Sequence, residues 1–142
     1  MKFEKENEMI TNSDFKNLEN LIGYSLPEDY KEHMLKYNGG TSSDDELFIV
    51  AFNYDNEYRE ASYISFDPIK HGDDTVEIQF NLKQSYLFPK LLAIGSFLGG
   101  RILMGYRDHN YGNIYIDFSY QDPIKVANSF SEFVGRIEVE EI

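Results

Sequence analysis

Apolar residues recur at helical spacing in three parts of the chain and at strand-like spacing between them. Phe15, Leu18 and Ile22 share one helical face, with Ser13 ahead as a cap and Gly23 as a stop. Tyr30, Met34 and Tyr37 fall at i, i+4 and i+7 and predict a second helix over 26–37. Pro27 suits its first turn, and Glu28 and Asp29 meet the positive end of its dipole. Asn38-Gly39-Gly40 stops it, with Gly39 in the left-handed position just past the end. Val126, Phe130, Phe133 and Ile137 repeat as a core-facing stripe and predict a last helix over 124–137, opening at Asp122-Pro123.

Strands are predicted between these helices. Residues 47–52 form a continuous apolar run rich in β-formers, and a second strand is expected within 57–66, around Ala61 to Ile64. Residues 71–74 read as a turn, and 75–86 are ambiguous between strand alternation and a helix edge. Past Pro89, Leu91 to Ile94 reads as a short strand. Gly99-Gly100 is a tight turn, and 101–106 pairs antiparallel with 113–118 across a longer loop. Two helices, then meander-like strands, then a helix argue for a single α+β domain, with a mostly antiparallel twisted sheet and the last helix packed on it. The domain is placed at 12–142, behind a ragged charged lead-in at 1–11.

Composition narrows the function classes. The 142 residues fit one domain with a substantial core. No run approaches the ~20 apolar residues of a membrane span, and the first eight residues lack the apolar stretch of a signal peptide. Without Cys there is no disulfide framework, thiolate metal site or Cys nucleophile, and a cytoplasmic setting is expected. The net charge is −12, half of it in residues 1–50, which carry 5 Lys and 11 acids. Such a chain is repelled by phosphate backbones, so the expected partner is a basic protein rather than nucleic acid. Solubility is the plainer explanation of the same charge.

Candidate chemistry mostly fails on inspection. Gly95 to Gly100 mimics a phosphate loop, but Arg101 and Ile102 stand where Lys and a hydroxyl belong, and a strand follows. His33, His71 and His109 lie in different elements. Asn53, Asp55 and Glu57 alternate like calcium ligands, but Tyr58 occupies the position that needs Gly. Ser96 lacks a nucleophile elbow, because Ile94 replaces the first Gly. No cofactor, metal or catalytic residue is assigned, and no carboxylate pair stands out among the 25 acids. A binding surface remains: the acidic loop Asp44, Asp45 and Glu46; Tyr54, Asp55, Glu57 and Tyr58; and Asp108 with Tyr111. Those tyrosines either close core edges or offer rigid interface area among carboxylates.

Three stretches together resemble one family. Leu-Pro-x-x-Tyr-Lys at 26–31 runs into Asn-Gly-Gly, Ile94 to Gly100 is followed by Gly112-Asn113-Ile114-Tyr115, and small residues precede Phe130-x-x-Phe133. In this order they resemble the SUKH superfamily over residues 12–137. That group takes in Smi/Knr-type regulators of fungal glucan synthesis and bacterial immunity proteins. The resemblance favours a short helix or irregular segment at 75–86. It implies a non-enzymatic protein that binds and neutralises the toxic module, often a nuclease, of a secreted bacterial toxin. A regulatory scaffold like the fungal branch, or a small hydrolase with an unrecognised carboxylate site, are the alternatives.

Overall fold

The computed structural model describes residues 2–5, 7–83, 90–118 and 121–142. Two helices, α1 (Asn12–Ile22) and α2 (Glu28–Tyr37), precede β1 (Glu46–Tyr54), β2 (Glu57–Ser62) and β3 (Ser65–Phe66). Next come α3 (Val76–Lys83), β4 (Leu91–Phe97), β5 (Gly100–Gly105), β6 (Ile114–Asp117) and β7 (Ile124–Ala127). The chain closes with α4 (Phe130–Gly135) and β8 (Glu138–Glu141). The strands form two antiparallel sheets, ordered β2-β1-β8 and β3-β4-β5-β6-β7. The α+β class holds, with two sheets in place of one.

The opening helices follow their stripes. Phe15, Leu18 and Ile22 are buried from α1, and Tyr30, Met34 and Tyr37 from α2. The first cap is Thr11 rather than Ser13: the Asp14 carboxylate accepts from the Thr11 N–H (2.9 Å) and hydroxyl (3.2 Å). Those bonds, then Lys70 at 3.1 Å, hold the Asp14 pKa below the usual carboxylate range. At the end of α2 the left-handed residue next to the helix is Asn38 (φ 42°), and Gly39 follows at φ 109°. Asn38 is fully buried. Its Nδ2 donates to the carbonyls of Glu8 (2.7 Å) and Ile69 (3.0 Å), and its Oδ1 accepts from the Ile69 N–H (2.8 Å).

An aromatic cluster forms the centre of the core. Phe3 lies 4.8–5.9 Å from the rings of His33, Tyr37, Phe48 and Phe66, and Phe130 lies 5.1 Å from both His33 and Phe66. The charged lead-in at 1–11 therefore contributes Phe3, 3% exposed, to the domain's own core. Phe48, Val50 and Phe52 of β1 face the same core, as do Leu92, Ile94, Ile102, Met104, Ile114 and Ile116 from the larger sheet. Across β5 and β6, Arg101 pairs with Asp117 and Leu103 with Tyr115, the expected antiparallel hairpin. The turn falls at Leu98-Gly99 rather than Gly99-Gly100, since Gly100 opens β5 opposite Phe97, and its place between two strands excludes the phosphate-loop reading. The ambiguous stretch is helical at Val76–Lys83, and 84–86 lie outside the described residues.

The end of the chain departs from expectation. Residues 124–127 are strand β7, paired with β6, so Val126 belongs to a sheet rather than to a helical stripe. The helix starts only after Ser129, whose Oγ accepts from the Glu132 N–H at 3.0 Å. β8 follows, with Glu138 opposite Ile49 and Glu140 opposite Leu47.

The Asn-Gly-Gly corner yields a prediction. Asn38→Gly keeps a left-handed backbone but strands the buried Ile69 amide, and should cost about 2–3 kcal/mol in urea unfolding. A Cβ on Gly39 would meet the Phe66 carbonyl at 2.8 Å, so Gly39→Val should cost at least as much. Asp45→Val on the exposed turn should stay within about 0.5 kcal/mol of the parent.

Candidate interaction surface

β1 sorts the sequence-predicted surface residues. Asp44 and Asp45 lie in the exposed turn before it and Glu46 begins it, where the Ser43 hydroxyl donates to Asp45 Oδ1 (2.9 Å) and Glu46 Oε1 (2.8 Å). Glu46 pairs with Glu141, and the Ile142 N–H donates to the Asp45 carbonyl at 2.9 Å, so this end gathers acids from β8 as well. Tyr54 ends β1, eight steps away, or about 27 Å at strand rise. The acidic turn and the Tyr54–Tyr58 segment are thus opposite ends of one strand. Asp108 and Tyr111 sit elsewhere, in the β5–β6 loop. There burial pushes the Tyr111 phenol up, and Lys31 of α2 opposes that shift.

The hairpin tip divides its own residues. Asp55 (φ 54°) and Asn56 (φ 64°) are both left-handed, the geometry of a two-residue type I′ turn. Tyr54 pairs with Glu57, and Asn53 with Tyr58. Facing residues of a pleated pair share a side and successive residues alternate, so Tyr54 and Tyr58 point to opposite faces. On the core side the Arg59 guanidinium stacks 5.3 Å over the Tyr54 ring and pairs with Glu57 at 3.4 Å. On the outer side Tyr58 is 68% exposed. Desolvation, then the neighbouring Glu60, then Glu138 raise its phenol pKa.

Sequence reasoning missed Glu60, Glu138 and Glu140. Register places all of them on the outer side of the small sheet, beside Ala51, Ile49 and Leu47 respectively. The signal was present in Glu138-Val139-Glu140, which alternates as a strand does.

Two titratable groups lie deeper. His33 is boxed by aromatic rings, and its Nε2 donates to the Gly39 carbonyl at 2.7 Å. Burial holds its pKa below the ordinary value, so the ring is neutral at pH 7. Asp67 is partly buried, and its Oδ2 has no hydrogen-bond partner among the described residues. Desolvation, then Asp74, raise its pKa to about 6, with Arg101 opposing. Among the described residues no three His, Asp or Glu side chains converge as metal ligands.

Asp67 gives a stability prediction. Its folded pKa lies above the unfolded value, so the unfolded chain loses its proton first as pH rises. Stability contributed by the protonated carboxyl is therefore complete below about pH 4 and lost by about pH 6, a cost on the order of 2–3 kcal/mol. Asp67→Asn should accordingly melt higher than the parent at pH 7.5 and alike near pH 3.5. An unchanged gap between the two pH values would rule out this ionisation as the cause.

The sequence pattern of the SMI1/KNR4 family (SUKH-1) matches residues 9–136. A search of curated proteins gives no match. Membership supports an immunity or regulatory role in general, in a family that is generally non-enzymatic. The match takes in both opening helices, the larger sheet and α4, and β8 lies beyond it. With most of its length inside that pattern, the chain belongs to the SMI1/KNR4 (SUKH-1) family.

Proposed function

We propose that this domain is an immunity protein, which binds the toxic module of a secreted bacterial toxin and blocks it without turnover. The observation that carries the reading is the −12 charge on a family member whose exposed acids crowd both ends of β1. A nuclease grips phosphates with a basic surface, and a surface rich in carboxylates is its electrostatic complement. Bound there, the acids occupy the place of phosphates and keep nucleic acid out. Such a protein acts in the cytoplasm of the cell that makes the toxin. Asp67 is the nearest approach to a poised acid for the hydrolase alternative, and turnover of nucleotides, esters or glycosides lost in Asp67→Asn would favour that reading instead.

The test is co-expression with candidate toxin modules encoded beside this gene. Rescue of growth and a 1:1 complex on gel filtration are expected, and undiminished killing without a complex would sink the proposal. In the purified pair, association should slow by about tenfold or more between 50 and 300 mM salt while dissociation changes little. Asp55→Lys with Glu57→Lys should slow association further, and Tyr58→Ala should speed dissociation.

A further inference from the structure

The outer side of the β2-β1-β8 sheet is built unlike the rest of the surface. Its middle strand presents Leu47, Ile49 and Ala51, because Phe48, Val50 and Phe52 take the core side. Each of these three stands beside a glutamate on a neighbouring strand: Glu140, Glu138 and Glu60. None of those glutamates forms an ion pair among the described residues. Elsewhere the fold employs many of its acids: Glu19 binds Lys31, Asp14 binds Lys70, and Asp29 caps Ser131. Like charges on one sheet face repel. The arrangement therefore holds a negative potential without counter-ions among the described residues over an apolar floor, with exposed Tyr58, hydrogen-bonded to Glu60, at one end.

We infer that this face is the docking surface for a basic protein partner, whose Lys and Arg stems lie along Leu47, Ile49 and Ala51 while their heads reach Glu60, Glu138 and Glu140. This rests on the binding role proposed above and assigns it a place. Long basic side chains suit such a floor, since their methylenes cover apolar surface while the cation stays at the edge. A second copy of this chain would bring the same negative charges face to face, which favours a basic partner instead. The face measures about 15 by 20 Å from strand spacing and rise, some 300 Å². A stable interface needs about 800 Å² per partner. The face is thus the centre of the contact, and the Asp44–Glu46 turn and the Asp55 tip extend it. β8, which supplies two of the glutamates, lies just beyond the residues matched by the family pattern, while β1 and Glu60 lie within them.

The experiment uses the full isotope-labelled chain and cytochrome c as a folded basic probe at low salt. Amide shifts should concentrate on the outward positions of β1, β2 and β8. The variant E60K/E138K/E140K should weaken binding at least tenfold. E32K/D73K/D122K changes net charge equally at exposed acids away from this face and should weaken it less than about threefold. Melting curves near the parent's would establish that both variants are folded. Shifts scattered over all acids, or equal loss in the two variants, would overturn the assignment of the face while leaving a binding role intact. No response to the probe at low salt would overturn the electrostatic binding reading together with the assignment.

Discussion

The side chain of Asn38 is the contact on which the helical half of the molecule depends. A left-handed residue ends α2, and its amide then bridges the Glu8 carbonyl and both backbone groups of Ile69, some thirty residues away on either side. Buried backbone groups need partners, and here one side chain satisfies three of them. The next two residues bring the chain against the strands: His33 holds the Gly39 carbonyl, and the Phe66 N–H donates to the Gly40 carbonyl. Phe3 then packs over this corner, so the lead-in, α2 and β3 share one anchorage.

Most of the fold was legible because its signals are local. Period, turn residues and a proline-to-glycine span placed α2, and the 101–106 and 113–118 runs paired as their alternation indicated. The failures came where distant partners decide. Val126 fits the helical stripe of Phe130, Phe133 and Ile137, yet pairing of β7 with β6 claims it, and only the cap at Ser129 marks the true start. β8 shows itself only in the brief alternation Glu138-Val139-Glu140, and its pairing is an edge contact with a strand about ninety residues earlier. The surface residues suffered for the same reason. Tyr54 and Tyr58 look adjacent in sequence, but a two-residue turn and the pleat send them to opposite faces.

Carboxylates play unlike parts in this chain. Some cap and tie: Asp14 closes the start of α1, Asp29 joins α2 to α4, and Glu132 steadies α4. Others stand on the small sheet's outer side without counter-ions among the described residues, where like charges on one face repel. Asp67 is a third circumstance, a carboxyl whose ionisation the fold opposes. Charge on this molecule is therefore partly scaffold and partly surface, and net charge alone does not reveal the proportion.

The Asn38-Gly39 junction also ties chemical durability to folding. An asparagine followed by glycine deamidates readily, because an unhindered backbone nitrogen attacks the side-chain amide. In the native state that amide is held by three hydrogen bonds and its neighbour is pinned against Phe66. The reaction is left to the unfolded chain. There it would replace a donor that the fold requires by a carboxylate facing the carbonyls of Glu8 and Ile69. Each long excursion to the unfolded state thus risks a lesion that disfavours refolding, so this route to damage slows as the protein opens less often.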